Sequence, residues 1–541
     1  MLKNKYTIEL FKRYFQDIVA NIIFLFAIMT LSVCGPLLLR NVMNTNNNGF
    51  DQKNVITYFI VLTILYMSKF FYNHFKFYFT EKFKNLETLN LYKKVFKMRY
   101  DKINSLEPTY ITERVSTTVD TVFGLYVSSV TGIIVSALVM IITLIVIFGI
   151  SKLLFCVFFV QIPLQYFGFQ KLLNGEKSKL VEYGSKLQEV RAKSSKNIKA
   201  LVSDVNGIKQ YGENGIIIPL IHDNIKEANQ LEKKANKYAM NVCTILEYLS
   251  VCFKNSSYLL IIYMYLNGLV SVGDLVYLNL VNDIYYSSIG DVINIQINLR
   301  NLKGSLSFVS DEIEKNHEID GNIKLEKITS IDGTLENIGY EGNALINTGK
   351  FHFENGDVVG IVGESGCGKS TFVKLLNKFN VGKSVFINNH DIMEYDNESL
   401  REKILYLPQN TYLLPCSVKD NILIGNYHNL ERWNELIKLD FMQRLLAGDI
   451  DKIVLENSSN LSGGDRQKII LGRVFMQNPD VIILDESFNA IDEETGENLF
   501  EILKAMYSDR IIIIISHSSK YIDRCNKLIT INNKQLVQQG I

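Results

Sequence analysis

The sequence predicts an all-α membrane domain of six helices followed by an α/β domain built around a phosphate-binding loop. Three observations carry that prediction. Apolar runs near membrane length occur only before about residue 300, and short β-branched runs alternate with helix-patterned polar segments from about Gly321 onward. A G-x-x-x-x-G-K-S motif stands directly behind one of the β-branched runs, at Gly363 to Ser370. The 541 residues suffice for several domains, and we place the boundary near residue 320, with 1–320 as the membrane domain and 321–541 as the second.

Composition narrows the classes further. With 47% hydrophobic and 21% charged residues the chain is not disordered. Lys plus Arg is 57 against Asp plus Glu 56, so overall charge gives no reason to expect a nucleic-acid partner. The 7 prolines are few, which favours long uninterrupted helices. Seven cysteines, Cys34, Cys156, Cys243, Cys252, Cys367, Cys416 and Cys525, are widely spaced with no C-x-x-C pair, and read as free thiols.

In the first half, residues 19–39, 55–79, 126–150, 153–172, 239–266 and 275–295 are each close to the roughly 20 residues needed to cross a hydrocarbon core of about 30 Å. The basic stretch ahead of the first run has no A-x-A-like cleavage site, so a retained membrane helix is expected there. Lys and Arg gather before the first run, after the second and between the fourth and fifth, whereas the other connections are nearly uncharged. The positive-inside rule then places both termini and the two long loops in the cytoplasm. Those loops are helix-patterned, with Gly and Pro scattered and not gathered into turn-like clusters, so they should be helices that leave the bilayer and turn back. Lys69, Lys254 and Asp283 fall deep inside the expected spans, with Glu247 nearer the cytoplasmic end. Ionisable groups at such depth face a wet cavity or pair with one another, and we expect the first three to line or close a cavity.

In the second half, the continuous apolar runs 358–362, 481–484 and 511–515 read as buried parallel strands. Behind the first comes Gly363-Glu364-Ser365-Gly366-Cys367-Gly368-Lys369-Ser370, then Thr371. Its glycines let backbone N–H groups wrap phosphates, Lys369 reaches the β- and γ-phosphates, and the Ser370 hydroxyl ligates Mg²⁺. The second run ends in Asp485-Glu486. Asp485 suits Mg²⁺ and its water, and Glu486 suits the attacking water as general base or orienter. Leu461-Ser462-Gly463-Gly464-Asp465 reads as a tight turn entering a helix. It would make a second anion nest for the γ-phosphate of a nucleotide bound elsewhere, although an ordinary Ser N-cap is the plainer reading of the residues alone.

Together these elements resemble the ATP-binding-cassette (ABC) transporters, and their order resembles an exporter half-transporter of type I. Residues Leu461 to Asp465 are similar to the family signature LSGGQ, and Gln409 in Tyr406-Leu407-Pro408-Gln409 resembles its Q-loop glutamine. His517, after five isoleucines, resembles the switch histidine; Ser487 to Asp492 resembles the D-loop, with Asp492 its aspartate; and Tyr340 resembles the aromatic residue that stacks on adenine. Glu456 resembles the X-loop glutamate, and the stretches Glu107 to Asp120 and Val202 to Tyr211 resemble the two coupling-helix regions. The resemblance implies a P-loop ATPase using ATP and Mg²⁺, with Glu486, His517 and Gln409 catalytic and Ser370, Gln409 and Asp485 at the metal. It implies two chains pairing head to tail, a homodimer first and a heterodimer second, in the cell membrane. The cargo it implies is an amphipathic peptide or bacteriocin; drug or lipid efflux, or an ATP-gated channel, are the alternatives. One departure bears on the site: Asp465 stands where the signature has glutamine and puts a negative charge near a phosphate nest.

Overall fold

The computed structural model describes residues 5–44, 52–173, 186, 190, 209–210, 217–340, 343–380, 385–424, 426, 429–446, 450–455 and 458–540. They fall into two compact units, Met1–Met98 with Lys102–His317, and Arg99–Asp101 with Glu318–Ile541.

The first unit is helical. In chain order come α1 (Lys5–Arg13), α2 (Phe15–Asn44), α3 (Gln52–Phe96), α4 (Tyr100–Ser105), α5 (Pro108–Gly124), α6 (Thr131–Ile150), α7 (Lys152–Leu173), α8 (Ile217–Leu266) and α9 (Val272–Ser307). At about 1.5 Å per residue, the 45 residues of α3 and the 50 of α8 measure about 68 and 75 Å, more than twice a hydrocarbon core. Both therefore continue well beyond any bilayer they cross. Among the described residues, Phe15–Asn44, Gln52–Phe96, Pro108–Ile150 and Glu247–Leu266 are long and apolar enough to span a membrane, and Lys152–Leu164 is a shorter apolar helix. The fourth and sixth expected spans fall on α7 and α9. In α9, Asp274, Asn279, Asn282 and Asp283 lower the apolar content.

Of the stretch Glu107 to Asp120, Glu107 stands at the N-cap of α5 and the rest lies within that helix, whose Pro108 sits in the first turn, where its fixed φ and missing N–H are harmless. A separate short helix, α4, lies just upstream. The counterpart expected at Val202 to Tyr211 lies outside the described residues except for Lys209 and Gln210.

A buried carboxylate ties the N-terminal helix to α3. Glu87 is 1% exposed and accepts from Tyr6 Oη at 3.2 Å, Tyr14 Oη at 3.3 Å and Arg13 Nη1 at 2.8 Å. A buried charge is costly unless paired and hydrogen-bonded, and these three donors, with Asn90, meet that condition.

The second unit is a ten-stranded mixed sheet with helices packed on it. Its strands are β1 (Ser330–Tyr340), β2 (Asn343–Glu354), β3 (Val358–Gly363), β4 (Val385–Ile387), β5 (His390–Asp391), β6 (Ile404–Leu407), β7 (Val481–Asp485), β8 (Ile511–Ile515), β9 (Lys527–Asn532) and β10 (Gln535–Gly540), in spatial order β5-β4-β1-β2-β10-β9-β3-β8-β7-β6. The run β9-β3-β8-β7-β6 is parallel, as the apolar runs predict: every residue of β7 and β8 is buried. The remaining strands pair mostly antiparallel, an extension that the parallel-sheet reading leaves out. One apolar cluster fills each side of the sheet, with Ile483, Ile513 and Ile361 in one, and Ile482, Ile512 and Ile514 in the other. Alternate residues of one strand pointing to opposite covered faces is what makes these segments apolar throughout. The carboxyl ends of β3 and β7 and the stretch after β6 and β8 then carry the residues singled out in the sequence.

Candidate functional site

The phosphate loop begins where β3 ends. A Cβ on Gly363 would lie 2.6 Å from the Ile531 carbonyl oxygen and 2.7 Å from Cys367 Sγ, so only glycine allows the chain to turn there. Gly368 sits at φ +111°, in the left-handed region, immediately before the helix α10 (Lys369–Leu376). Lys369 is buried, and its ammonium donates to the carbonyls of Gly363 at 2.7 Å and Glu364 at 3.0 Å. The loop thus closes around its own lysine, placing a positive charge at the head of a helix whose N-terminal amides favour anions.

Cys367 packs inside this loop as a free thiol, and Cys34, Cys156, Cys252, Cys416 and Cys525 are free as well. Alkylation of Cys367 is expected to block ATP hydrolysis and bound nucleotide to protect it; turnover unaffected by quantitative modification of Cys367 would contradict that.

Asp485, at the end of β7, is 3% exposed. Burial pushes its carboxyl above the usual range, and hydrogen bonds from Ser370 and from Tyr406, whose Oη lies 3.0 Å away, pull it back. A carboxylate beside a hydroxyl gives hard oxygen donors, a set that fits Mg²⁺.

Glu486 follows at φ +53°, with its N–H bonded to the Ile515 carbonyl at 3.0 Å. That turn carries the carboxylate off the end of the sheet. Gln409 Nε2, just after β6, donates to Glu486 Oε2 at 2.7 Å, and His517 Nε2, just after β8, lies 3.5 Å from Glu486 Oε1. Three residues far apart in sequence therefore meet at the ends of neighbouring strands. A fourth group joins them that the sequence reading missed: Asn489 Nδ2 donates to Glu486 Oε2 at 2.9 Å. The signal for it in the sequence was its place within the D-loop resemblance, three residues after Glu486.

The remaining predicted residues sit apart from this cluster or are only partly described. Ser462 caps the helix Gly463–Met476; its Oγ accepts from Asp465 N–H at 3.1 Å and donates to the Asp465 carboxylate at 2.7 Å. The substituted residue of the signature thus engages the hydroxyl that a phosphate would need. Leu461 packs against the apolar cluster, while Gly464 lies against the Ala490 carbonyl, so a Cβ there would be 3.3 Å from it. Asp492 caps Glu493–Met506, and Thr495, donating to it from its hydroxyl and from its backbone at 3.0 Å, holds its carboxyl below the usual range. Tyr340 is the last residue of β1, but its ring lies outside what the structure describes, as does Glu456.

In the helical unit, Lys254 and Asp283 form an ion pair at 2.5 Å, and Tyr258 Oη donates to the same carboxylate at 2.5 Å. Lys254 stands twelve residues before the end of α8 at Leu266, and Asp283 eleven after the start of α9 at Val272, about 18 and 16 Å along their axes. Alongside, Gln161 of α7, Ser257 of α8 and Tyr286 of α9 form a buried hydrogen-bonded group. Lys69 does not join them; its ammonium lies 5.2 Å from the ring of Tyr66 on its own helix.

Comparison with known families decides what this architecture is. The family model described as ABC transporter transmembrane region matches residues 18–288, and the one described as ABC transporter matches 346–489. The chain belongs to the ABC transporters. A Rickettsia bellii protein of the export ATP-binding/permease type is 23% identical over 97% of this chain and 94% of its own length. The alpha-hemolysin translocation ATP-binding protein HlyB of Escherichia coli O157:H7 is 30% identical over 51% of this chain and 41% of its own length. The sublancin-168-processing and transport ATP-binding protein SunT of Bacillus subtilis is 27% identical over 67% of this chain and 52% of its own. The fold of a bacterial Atm1-family ABC exporter solved with ATP bound superposes with a TM-score of 0.81 at 17% identity, covering 97% of this chain and 95% of that one. The ABC transporter described here thus has the type I exporter fold, a helical membrane domain ahead of a sheet-containing nucleotide-binding domain, and couples ATP hydrolysis to export.

Proposed function

We propose that this chain is one half of an exporter that moves an amphipathic peptide out of the cytoplasm, with residues 1–320 forming six membrane crossings and 321–541 the ATPase. The observation that carries the motor assignment is the convergence of Gln409, His517 and Asn489 on the Glu486 carboxylate. In this reading Lys369 and the loop from Gly363 to Thr371 hold the phosphates, Tyr340 stacks on adenine, and Ser370, Asp485 and Gln409 hold Mg²⁺. The metal supplies charge neutralisation for the phosphates. Glu486 accepts a proton from the attacking water, and His517 sits where it can orient that water and the γ-phosphate. The nest of Leu461 to Asp465, with Asp492, serves a nucleotide held by a second chain, so two copies pair head to tail, most simply as a homodimer. Both termini and the ATPase lie on the cytoplasmic side of the cell membrane, in keeping with the basic long loops.

The peptide cargo rests on the Lys254–Asp283 pair with Tyr258. An ion pair near mid-depth costs several kcal/mol unless it meets water or a polar ligand, and a zwitterionic chain offers both charges. The names of HlyB and SunT, which handle a haemolysin and sublancin, point the same way. The test is ATPase stimulation in lipid vesicles by peptides, amphipathic drugs and lipids, for wild type and Lys254→Met. Peptides should stimulate the wild type, and the half-stimulating concentration should rise about tenfold in the variant, the loss expected for one charged contact. Stimulation by drugs or lipids alone would reassign the cargo, and an unchanged response in Lys254→Met would remove the pair from the cargo site.

A further inference from the structure

We propose that Asn489 is a positioning residue for the hydrolytic carboxylate: its amide, with that of Gln409, saturates Glu486 Oε2 and leaves Oε1 as the atom that receives the proton of the attacking water. The proposal deepens the assignment of Glu486 as general base and rests on it.

A carboxylate oxygen has two in-plane lone-pair directions. On Oε2 both are taken, by Gln409 Nε2 at 2.7 Å and Asn489 Nδ2 at 2.9 Å. Oε1 faces His517 Nε2 at 3.5 Å, beyond a normal hydrogen bond. The two oxygens are therefore not equivalent, and a side chain with one oxygen fixed by two amides has a defined orientation for the other.

The backbone explains why Asn489 is placed so well. Asn489 N–H bonds to the Glu486 carbonyl at 3.3 Å, which closes a turn and brings side chains three residues apart to the same side. Between them, Phe488 points the opposite way and is 5% exposed, its ring stacked on Tyr521 at 5.0 Å and edge-on to Phe500 at 5.9 Å. Gly496 admits this packing: a Cβ there would lie 2.5 Å from Tyr521 Oη. An aromatic anchor beneath the turn thus fixes an exposed amide above it. Gln409, by contrast, is also expected at Mg²⁺, so Asn489 is the donor with a single task.

Asn489→Asp and Asn489→Ala separate the donor from the fold. Asp keeps the shape and the turn but replaces the amide donor with a second negative charge against Glu486. We expect kcat for ATP hydrolysis to fall on the order of tenfold in Asn489→Ala, as for loss of one hydrogen bond to a charged group, and further in Asn489→Asp. KM for ATP and the thermal unfolding midpoint should stay at wild-type values in both. In a Glu486→Gln background, Asn489→Ala should cause no additional loss. Wild-type kcat in Asn489→Asp would overturn the proposal, as would a rise in KM or a drop in unfolding temperature that accounts for the whole effect. If Asn489→Ala fails to fold, Asn489→Asp alone decides. A Glu486→Gln variant that still hydrolyses ATP would instead remove the general-base assignment, a result distinct from failure of Asn489.

Discussion

Glu486→Gln should retain nucleotide binding and lose hydrolysis, with kcat reduced by about 10²–10⁴, the range that a general base contributes. The substitution keeps the volume and one oxygen acceptor, so the turn at φ +53° and the contact with the Ile515 carbonyl, both backbone features, are undisturbed. What it removes is the capacity to take a proton. Phosphate release measured across ATP concentrations checks this, and the pattern matters as much as the size: a fall in kcat at constant KM marks a group acting on the transition state. A rise in KM alone would assign Glu486 to binding.

Lys369→Ala should act at the earlier step and weaken ATP binding by about 10²-fold or more. The Lys369 ammonium is buried and, among the described residues, donates to two carbonyls of its own loop, which are neutral acceptors. Phosphate offers it a charged acceptor instead, and charge-assisted hydrogen bonds are roughly twice as strong as neutral ones. Alanine forfeits that gain and also leaves the carbonyls of Gly363 and Glu364 without their donor, so the loop loses the group that holds it closed. Titration with a fluorescent ATP analogue gives the affinity directly. Wild-type affinity in Lys369→Ala would mean that the nucleotide does not bind at this loop.

Much of the nucleotide-binding unit was legible in the sequence because its signals are local. A strand buried on both faces must be apolar at every position, as in 481–484 and 511–515, and a phosphate loop must place its glycines at fixed offsets. The antiparallel strands β1, β2 and β4 were not, since β1 and β2 mix polar and apolar residues without clean alternation and β4, Val385-Phe386-Ile387, is only three residues long. The contact of Asn489 with Glu486 depends on the handedness of one turn, and the engagement of Ser462 by Asp465 depends on a rotamer; neither leaves a mark in composition or spacing. In the helical unit, depth along a helix could be counted but rotation about it could not. Lys254 and Asp283 meet across α8 and α9, whereas Lys69, at comparable depth, points to its own helix neighbour Tyr66.

The central claim, that hydrolysis drives a peptide uphill, is tested most directly by transport in inside-out vesicles preloaded with a fluorescent peptide to equal the outside concentration. With ATP outside, the wild type should raise the internal concentration above the external one, in proportion to ATP consumed, and Glu486→Gln should hold it level. An internal concentration that stays level with the external one in the wild type as in Glu486→Gln, while labelled peptide still exchanges across the membrane when ATP is present, would contradict a pump and identify a nucleotide-gated channel.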